Sequence, residues 1–301
     1  MTFDVSPFRE LYPFESHYFT RGGLRCHYLD EGQGPPVVMV HGNPTWSFYY
    51  RELVVALRDR CRVVVPDHIG CGLSDKPGDD RYAYRLASRI DDLEALLEAL
   101  GVVRDVTLLV HDWGGAIGFG WAARHPERVA RLVILNTAAF PLPASRRLPW
   151  QLGMVRDLRV MGWLVQGLNA FAGIAARVAP KSRLPAPVRR AYLAPYDSWR
   201  HRIATLRFVQ DIPLGPGDPS WPTLLEVHAG LQHFRTTPAL ICWGGRDFVF
   251  DDHFLRQWQV ELPKAEVLRL PHAGHYVLED ARDEIVPRVR EFLAAHPLAA
   301  A

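Results

Sequence analysis

Val110-His111-Asp112-Trp113-Gly114-Gly115 joins a strand-like run to a helix-like one. The apolar run before it, Val106-Thr107-Leu108-Leu109-Val110, predicts a buried strand over 106–110. The run after it, Ala116-Ile117-Gly118-Phe119-Gly120-Trp121-Ala122, predicts a helix over 116–125. A strand, a sharp turn and a helix present the turn residue, Asp112, at the edge of a sheet. A carboxylate there needs no base to ionise it at neutral pH. It attacks saturated carbon well, and the ester it forms is open to cleavage by water. The chemistry expected is therefore displacement at an alkyl carbon rather than the acyl transfer of a serine at the same place.

Working outward, strands are predicted over 24–29, 37–41, 62–65, 131–135, 239–243 and 266–270, with helices over 48–57 and 87–100. In Ile90-Asp91-Asp92-Leu93-Glu94-Ala95-Leu96-Leu97 the apolar residues recur at helical spacing with acids between them. Strands alternating with helices predict an α/β sheet. The block from 140 to 216 differs. It opens on Phe140-Pro141-Leu142-Pro143, closes on Ile212-Pro213-Leu214-Gly215-Pro216, and between them reads as helical, aromatic and without a strand. It is expected to be a cap, dividing the core into 1–139 and 217–301, over the carboxyl edge where open α/β sheets hold their sites.

Composition narrows the class. The 301 residues are 48% hydrophobic and 23% charged with a formal net charge of +2, which suits a globular chain and gives no reason to expect nucleic-acid binding. Cys26, Cys61, Cys71 and Cys242 form no C-x-x-C pair and are expected to be reduced core or near-core thiols. The first residues lack a signal-peptide profile, no apolar run reaches the length of a membrane span, and a cytoplasmic location is expected. The nearest approach, residues 160–176, is uncharged but broken by Gly162, Gln166, Gly167, Asn169 and Gly173, and is expected to form a buried or pocket-lining helix pair. The Gly70-x-Gly72-x-Ser74 spacing is not a dinucleotide fingerprint, and neither a P-loop nor a metal-ligand cluster is present, so no cofactor and no metal is expected.

A nucleophilic carboxylate needs three kinds of help. Donors for charge developing on the leaving group are Asn43, in His41-Gly42-Asn43-Pro44 directly after a strand, and Trp113, whose backbone N–H groups are also candidates for an oxyanion hole. The plainer alternatives are a turn role for Asn43 and a packing role for Trp113. A base to activate water is His275 in Pro271-His272-Ala273-Gly274-His275-Tyr276, with His272 as competitor. A carboxylate to orient that histidine is Asp247 in Trp243-Gly244-Gly245-Arg246-Asp247, with Asp251 and Asp252 as fallbacks. Asn136, after the preceding core strand, cannot supply the charge.

These motifs, with His41-Gly42-Asn43-Pro44-Thr45-Trp46-Ser47 and Pro66-Asp67-His68-Ile69-Gly70-Cys71-Gly72-Leu73-Ser74-Asp75-Lys76-Pro77, resemble the haloalkane dehalogenase family of the α/β-hydrolase superfamily, in particular its third subgroup. The resemblance implies an α/β-hydrolase fold: a mostly parallel eight-stranded sheet with an inserted helical cap. It implies Asp112 as nucleophile, His275 as base, Asp247 as acid, and Asn43 with Trp113 as leaving-group donors. Over the cap, through Gly167-Leu168-Asn169-Ala170-Phe171 and Ala194-Pro195-Tyr196-Asp197-Ser198-Trp199, the chain is similar to the β-lactone decarboxylases of that subgroup. That likeness implies conversion of a cis-3,4-dialkyl β-lactone to a cis-alkene and carbon dioxide in bacterial long-chain olefin biosynthesis, and assembly with other enzymes of hydrocarbon biosynthesis. The uncharged 160–176 stretch agrees with a small hydrophobic substrate bearing two alkyl arms, although it also suits the plain helical core of a cap. Haloalkane dehalogenation with the same residues is the alternative. An epoxide hydrolase, using Tyr192 and Tyr196 of the cap, and a non-enzymatic binding module are further readings.

Overall fold

The computed structural model describes residues 3–298 apart from residue 145. One eight-stranded sheet organises them: β1 (His17–Arg21), β2 (Leu24–Glu31), β3 (Pro36–Val40), β4 (Arg62–Pro66), β5 (Val106–Asp112), β6 (Val129–Thr137), β7 (Ala239–Gly244) and β8 (Glu266–Leu270). Their spatial order is β1-β2-β4-β3-β5-β6-β7-β8. The pairs β1–β2 and β2–β4 are antiparallel and all the others parallel. The inner strands are near-continuous runs of Val, Leu and Ile because both faces of a parallel sheet are covered. β5 is buried throughout.

Helices cover the two faces. On one lie α1 (Arg51–Leu57) and the last helix. On the other lie α2 (Leu86–Ala99) and α3 (Trp113–Arg124). Leu93, Phe119 and Trp121 fill one core, and Leu53, Val54 and Phe292 the other. Between β6 and β7 come α4 (Trp150–Asp157), α5 (Arg159–Leu168), α6 (Ala170–Val178), α7 (Ala186–Leu193), α8 (Ile203–Gln210) and α9 (Trp221–Gly230). After β7 come α10 (Asp252–Glu261) and α11 (Val277–Ala295). Val155, Val165, Leu206 and Val209 form a separate small core among α4, α5 and α8.

The chain leaves β3 toward β4 on one side and returns to β5 on the other. That reversal is the switch point at which open α/β sheets place their sites. Asn43 follows β3 and Asp112 ends β5, so the two face each other across it.

Three details differ from the sequence reading. β1 is not predicted by sequence, because a short edge strand with only two of its five residues even partly buried lacks the apolar run that marks a core strand. The helix expected from 116 starts at Trp113, immediately after Asp112, since Gly114 and Gly115 are the helix's first turn rather than the turn before it. The 160–176 stretch is a helix pair broken at Asn169, whose φ is 52°; one face lines a cavity, as one of its two expected settings has it, but the other faces solvent. The four cysteines are all free and buried, as expected. Among the described residues no helix is long and apolar enough to cross a membrane.

Candidate active site

Asp112 closes β5 at φ 53° and ψ −128°. An L-residue holds such a backbone only where its surroundings fix it. Its carbonyl accepts a hydrogen bond from Thr137 Oγ1, and the β5–β6 register shifts between Val110 and Asp112. Two glycines let the backbone close around the elbow. A Cβ at Gly114 would stand 1.9 Å from the Val40 carbonyl oxygen, and one at Gly42 would stand 2.0 Å from Asp112 Oδ1. The sequence thus turns sharply enough to leave the Asp112 carboxylate at the sheet's carboxyl edge.

Three elements converge there. The backbone N–H of Asn43 donates to Asp112 Oδ1 at 2.8 Å. His275 Nε2 lies 3.3 Å from Asp112 Oδ2. On the other side of the ring, His275 Nδ1 donates to Asp247 Oδ2 at 2.8 Å, and Asp247 Oδ1 accepts from the Val249 N–H at 2.7 Å. All three side chains are buried. The geometry therefore brings together Asp112, His275 and Asp247, the residues singled out from sequence.

The competitors are elsewhere. His272 is exposed and pairs with Glu284 at 3.1 Å. Asp251 caps α10 through the His253 N–H, and Asp252 pairs with Arg269. Asn136 has a positioning role: its amide both donates to and accepts from the Gly244 backbone, at 3.0 and 2.7 Å, and donates to the Phe250 carbonyl. It braces both ends of the loop that carries Asp247. Tyr192 donates to Glu279 and Tyr196 to the Thr45 carbonyl. Both are buried, and neither lines the cavity, which removes the donors an epoxide hydrolase would need.

Electrostatics follow from burial and pairing. Burial pushes the His275 pKa down, but the Asp247 charge and hydrogen bonds to Asp112 and Asp247 outweigh it and raise it to about 10. Burial pushes the Asp112 pKa up, and the His275 hydrogen bond and charge, with the Asn43 N–H, bring it below the usual carboxylate value. The site is an imidazolium between two carboxylates. His111, beside the elbow, is buried and lies next to that charge, which lowers its pKa to about 3, so its neutral ring donates from Nε2 to the His275 carbonyl at 2.8 Å.

A raised His275 pKa stabilises the fold fully below the unfolded value of about 6.5, and the stabilisation is lost as pH rises through about 10. An imidazole NMR titration should place the His275 transition near that upper value, and Asp112→Asn should lower it by removing one of the two anions. A transition near 6.5 in both proteins would contradict the assigned geometry.

Several contacts around the site carry no sequence signal. Thr205 on α8 accepts, through its carbonyl, a hydrogen bond from Asn43 Nδ2 at 3.1 Å, tying the loop after β3 to the insertion. Trp113 stacks edge-on against Phe208 at 5.4 Å. The buried Arg89 guanidinium lies 3.7 Å from the Phe208 ring centre and pairs with Asp211 at 3.2 Å. His68 donates to the His41 carbonyl at 2.8 Å and steadies the same loop.

A cavity of about 800 Å³ runs from Asp112 between the sheet edge and the inserted helices. Asn43, Asp112, Trp113 and His275 meet at its inner end, and its walls are apolar, with Leu152, Val155, Met161, Val165, Phe171 and Val209 among them. The other polar side chains on the wall are Gln151 and Lys181. Among the described residues no group of three or more His, Cys, Asp or Glu side chains is placed to hold a metal ion.

The family model described as the alpha/beta hydrolase fold matches residues 35–281. The chain belongs to the α/β-hydrolase family. This α/β hydrolase is 55% identical over 284 residues to the cis-3-alkyl-4-alkyloxetan-2-one decarboxylase of Shewanella oneidensis, covering 94% of this chain and 89% of that protein. It is 52% identical over 285 residues to the enzyme of the same name from Xanthomonas campestris pv. campestris, covering 92% and 95%. Among solved structures it resembles the haloalkane dehalogenase DbeA from Bradyrhizobium elkani, with a TM-score of 0.84 at 27% identity and coverage of 94% and 98%.

Proposed function

We propose that this α/β hydrolase is a β-lactone decarboxylase that converts a cis-3,4-dialkyl-oxetan-2-one to a cis-alkene and carbon dioxide. The observation that carries the reading is the 55% identity, over 94% of the chain, to an enzyme named for that reaction. The cavity supports it. At about 800 Å³ it lies toward the upper part of the range of roughly 300–1,000 Å³ for small-molecule sites, and its apolar walls suit two alkyl arms better than a short halide. Residues 140–216 act as the cap that supplies those walls.

Asp112 attacks the ring carbon that bears the ring oxygen. The C–O bond breaks with inversion, leaving an alkyl ester on Asp112 and a free carboxylate on the neighbouring carbon. The carbon–carboxylate bond then breaks anti to the ester. Its electron pair becomes the alkene, Asp112 departs with the ester's electrons, and carbon dioxide leaves. Inversion followed by anti fragmentation keeps the cis geometry, and neither water nor a cofactor is consumed. Trp113 and the remaining Asn43 amide N–H are the donors for the carboxylate as it forms. His275, held cationic by Asp247, stabilises Asp112 as it departs. This enzyme would work beside others that act on the same long-chain compounds.

The dehalogenase alternative uses the same ester, formed by loss of halide, with His275 activating water once esterification removes the Asp112 charge that helps hold its proton. The structural likeness to DbeA favours keeping it as the comparator.

The test is an arm-length series. Each buried methylene is worth about 0.8 kcal/mol, so kcat/KM on cis-β-lactones should rise up to about fourfold per added methylene until the cavity is full. A flat series would overturn the role given to the cavity.

A further inference from the structure

The outer face of the α5–α6 helix pair is apolar where a monomer surface is normally polar. Trp163 and Leu168 are 72% and 74% exposed and Val160 is 65% exposed. Trp199 stands edge-on to Trp163 at 6.0 Å and is itself exposed. This surface is continuous with the cavity, because Leu164, Ile174, Val178 and Phe248 are exposed side chains that also line its wall. They mark the cavity's mouth.

Beside the mouth lies a second feature. A groove of about 400 Å³ is walled by Arg177, Lys181, Arg183 and Arg189, with no acidic side chain among its lining residues. Among the described residues, no carboxylate pairs with the side chains of Arg177, Arg183 or Arg189. The nearby Asp280 carboxylate is taken up by the N–H groups of Gly274, Lys181 and Ser182. Lys181 lines both groove and cavity, and Arg177 precedes the mouth residue Val178 on α6. The charge is regional: residues 140–216 hold twelve Arg and Lys against three Asp and Glu, while the whole chain is only +2. A cationic groove bordering exposed tryptophan and leucine is the composition of a face that lies in a membrane interface, with charge meeting headgroups and apolar side chains entering the acyl boundary.

We propose that this face of the cap docks on an anionic lipid bilayer, with headgroup phosphates in the Arg177–Arg183–Arg189 groove and Trp163 and Leu168 in the acyl boundary, so that the cavity mouth opens against lipid. A substrate with two alkyl arms then passes from bilayer to cavity without crossing water. The docking is independent of what the enzyme cleaves; only this delivery step rests on the lactone reading.

Flotation with vesicles tests it, using phosphatidylcholine alone and phosphatidylcholine with about one-third phosphatidylglycerol. The full chain should bind the anionic vesicles, bind phosphatidylcholine far less, and release at high salt. The triple variant Arg177→Glu/Arg183→Glu/Arg189→Glu should bind at least about a hundredfold more weakly. Trp163→Ser/Leu168→Ser should also weaken binding, while both variants keep the wild-type Tm and the wild-type rate on a short-armed lactone dispersed without lipid. Absence of binding to anionic vesicles, or binding that neither variant weakens, would overturn the proposal. Loss with the arginine variant alone would mean adsorption by charge without insertion, and would overturn the placing of the mouth against lipid. If no lactone is turned over, the vesicle and Tm arms still decide the docking, so the two readings fail separately.

Discussion

Asp112→Ala is expected to abolish turnover, lowering kcat on a cis-β-lactone by at least about 10⁴-fold. No other carboxylate can take its place. Asp247 faces the opposite nitrogen of His275 and is held by the Val249 N–H. The fold should survive, because alanine removes a side chain while the elbow backbone is held by Thr137 and by the close approach of Gly114 to β3. Asp112→Asn should behave similarly at first and regain some activity slowly by deamidation. An alanine variant with an unchanged Tm and more than about a hundredth of the wild-type rate would mean that another group makes the bond.

The second large effect is at His275. In His275→Ala, burial of Asp112 is no longer offset by the imidazolium, so the Asp112 pKa rises and the nucleophile is more readily protonated. Lactone turnover should fall by about 10²–10⁴-fold and recover in part as pH rises and Asp112 ionises. With a bromoalkane the outcome differs in kind. The ester should still form but not be hydrolysed, and intact-protein mass spectrometry should show an adduct of the alkyl group. Rapid full turnover without His275 would remove it from the chemistry altogether.

The core strands are legible in the sequence because a parallel sheet buried on both faces demands near-continuous apolar runs, and residues 106–110, with Thr107 their one polar member, form such a run. Asp112, Asp247 and His275 are legible for a related reason. Each ends a strand of the parallel sheet or lies in the loop that follows one, so topology carries them to one edge. The pairings that support them are not legible. Arg89 meets Asp211, and Asn43 meets Thr205, only after the insertion folds back over the sheet, and no local spacing records a contact between residues so far apart. The 160–176 stretch shows a different limit. Its lack of charge is plain in the sequence, but hydrophobicity does not say which face of a helix meets a cavity and which meets solvent, and here both are apolar. The edge strand β1 escapes for the opposite reason, since its burial is too slight to pattern the side chains.

In the proposed reaction the Asp112 ester collapses by loss of carbon dioxide rather than by addition of water. The most direct measurement is gas chromatography of the organic phase after the wild-type enzyme is given a cis-β-lactone with two long arms and a 1-bromoalkane together. The cis-alkene is expected as the main product, with carbon dioxide released in equal amount and the bromoalkane consumed far more slowly. A β-hydroxy acid as main product, or an inert lactone beside rapid conversion of the bromoalkane to its alcohol, would contradict it.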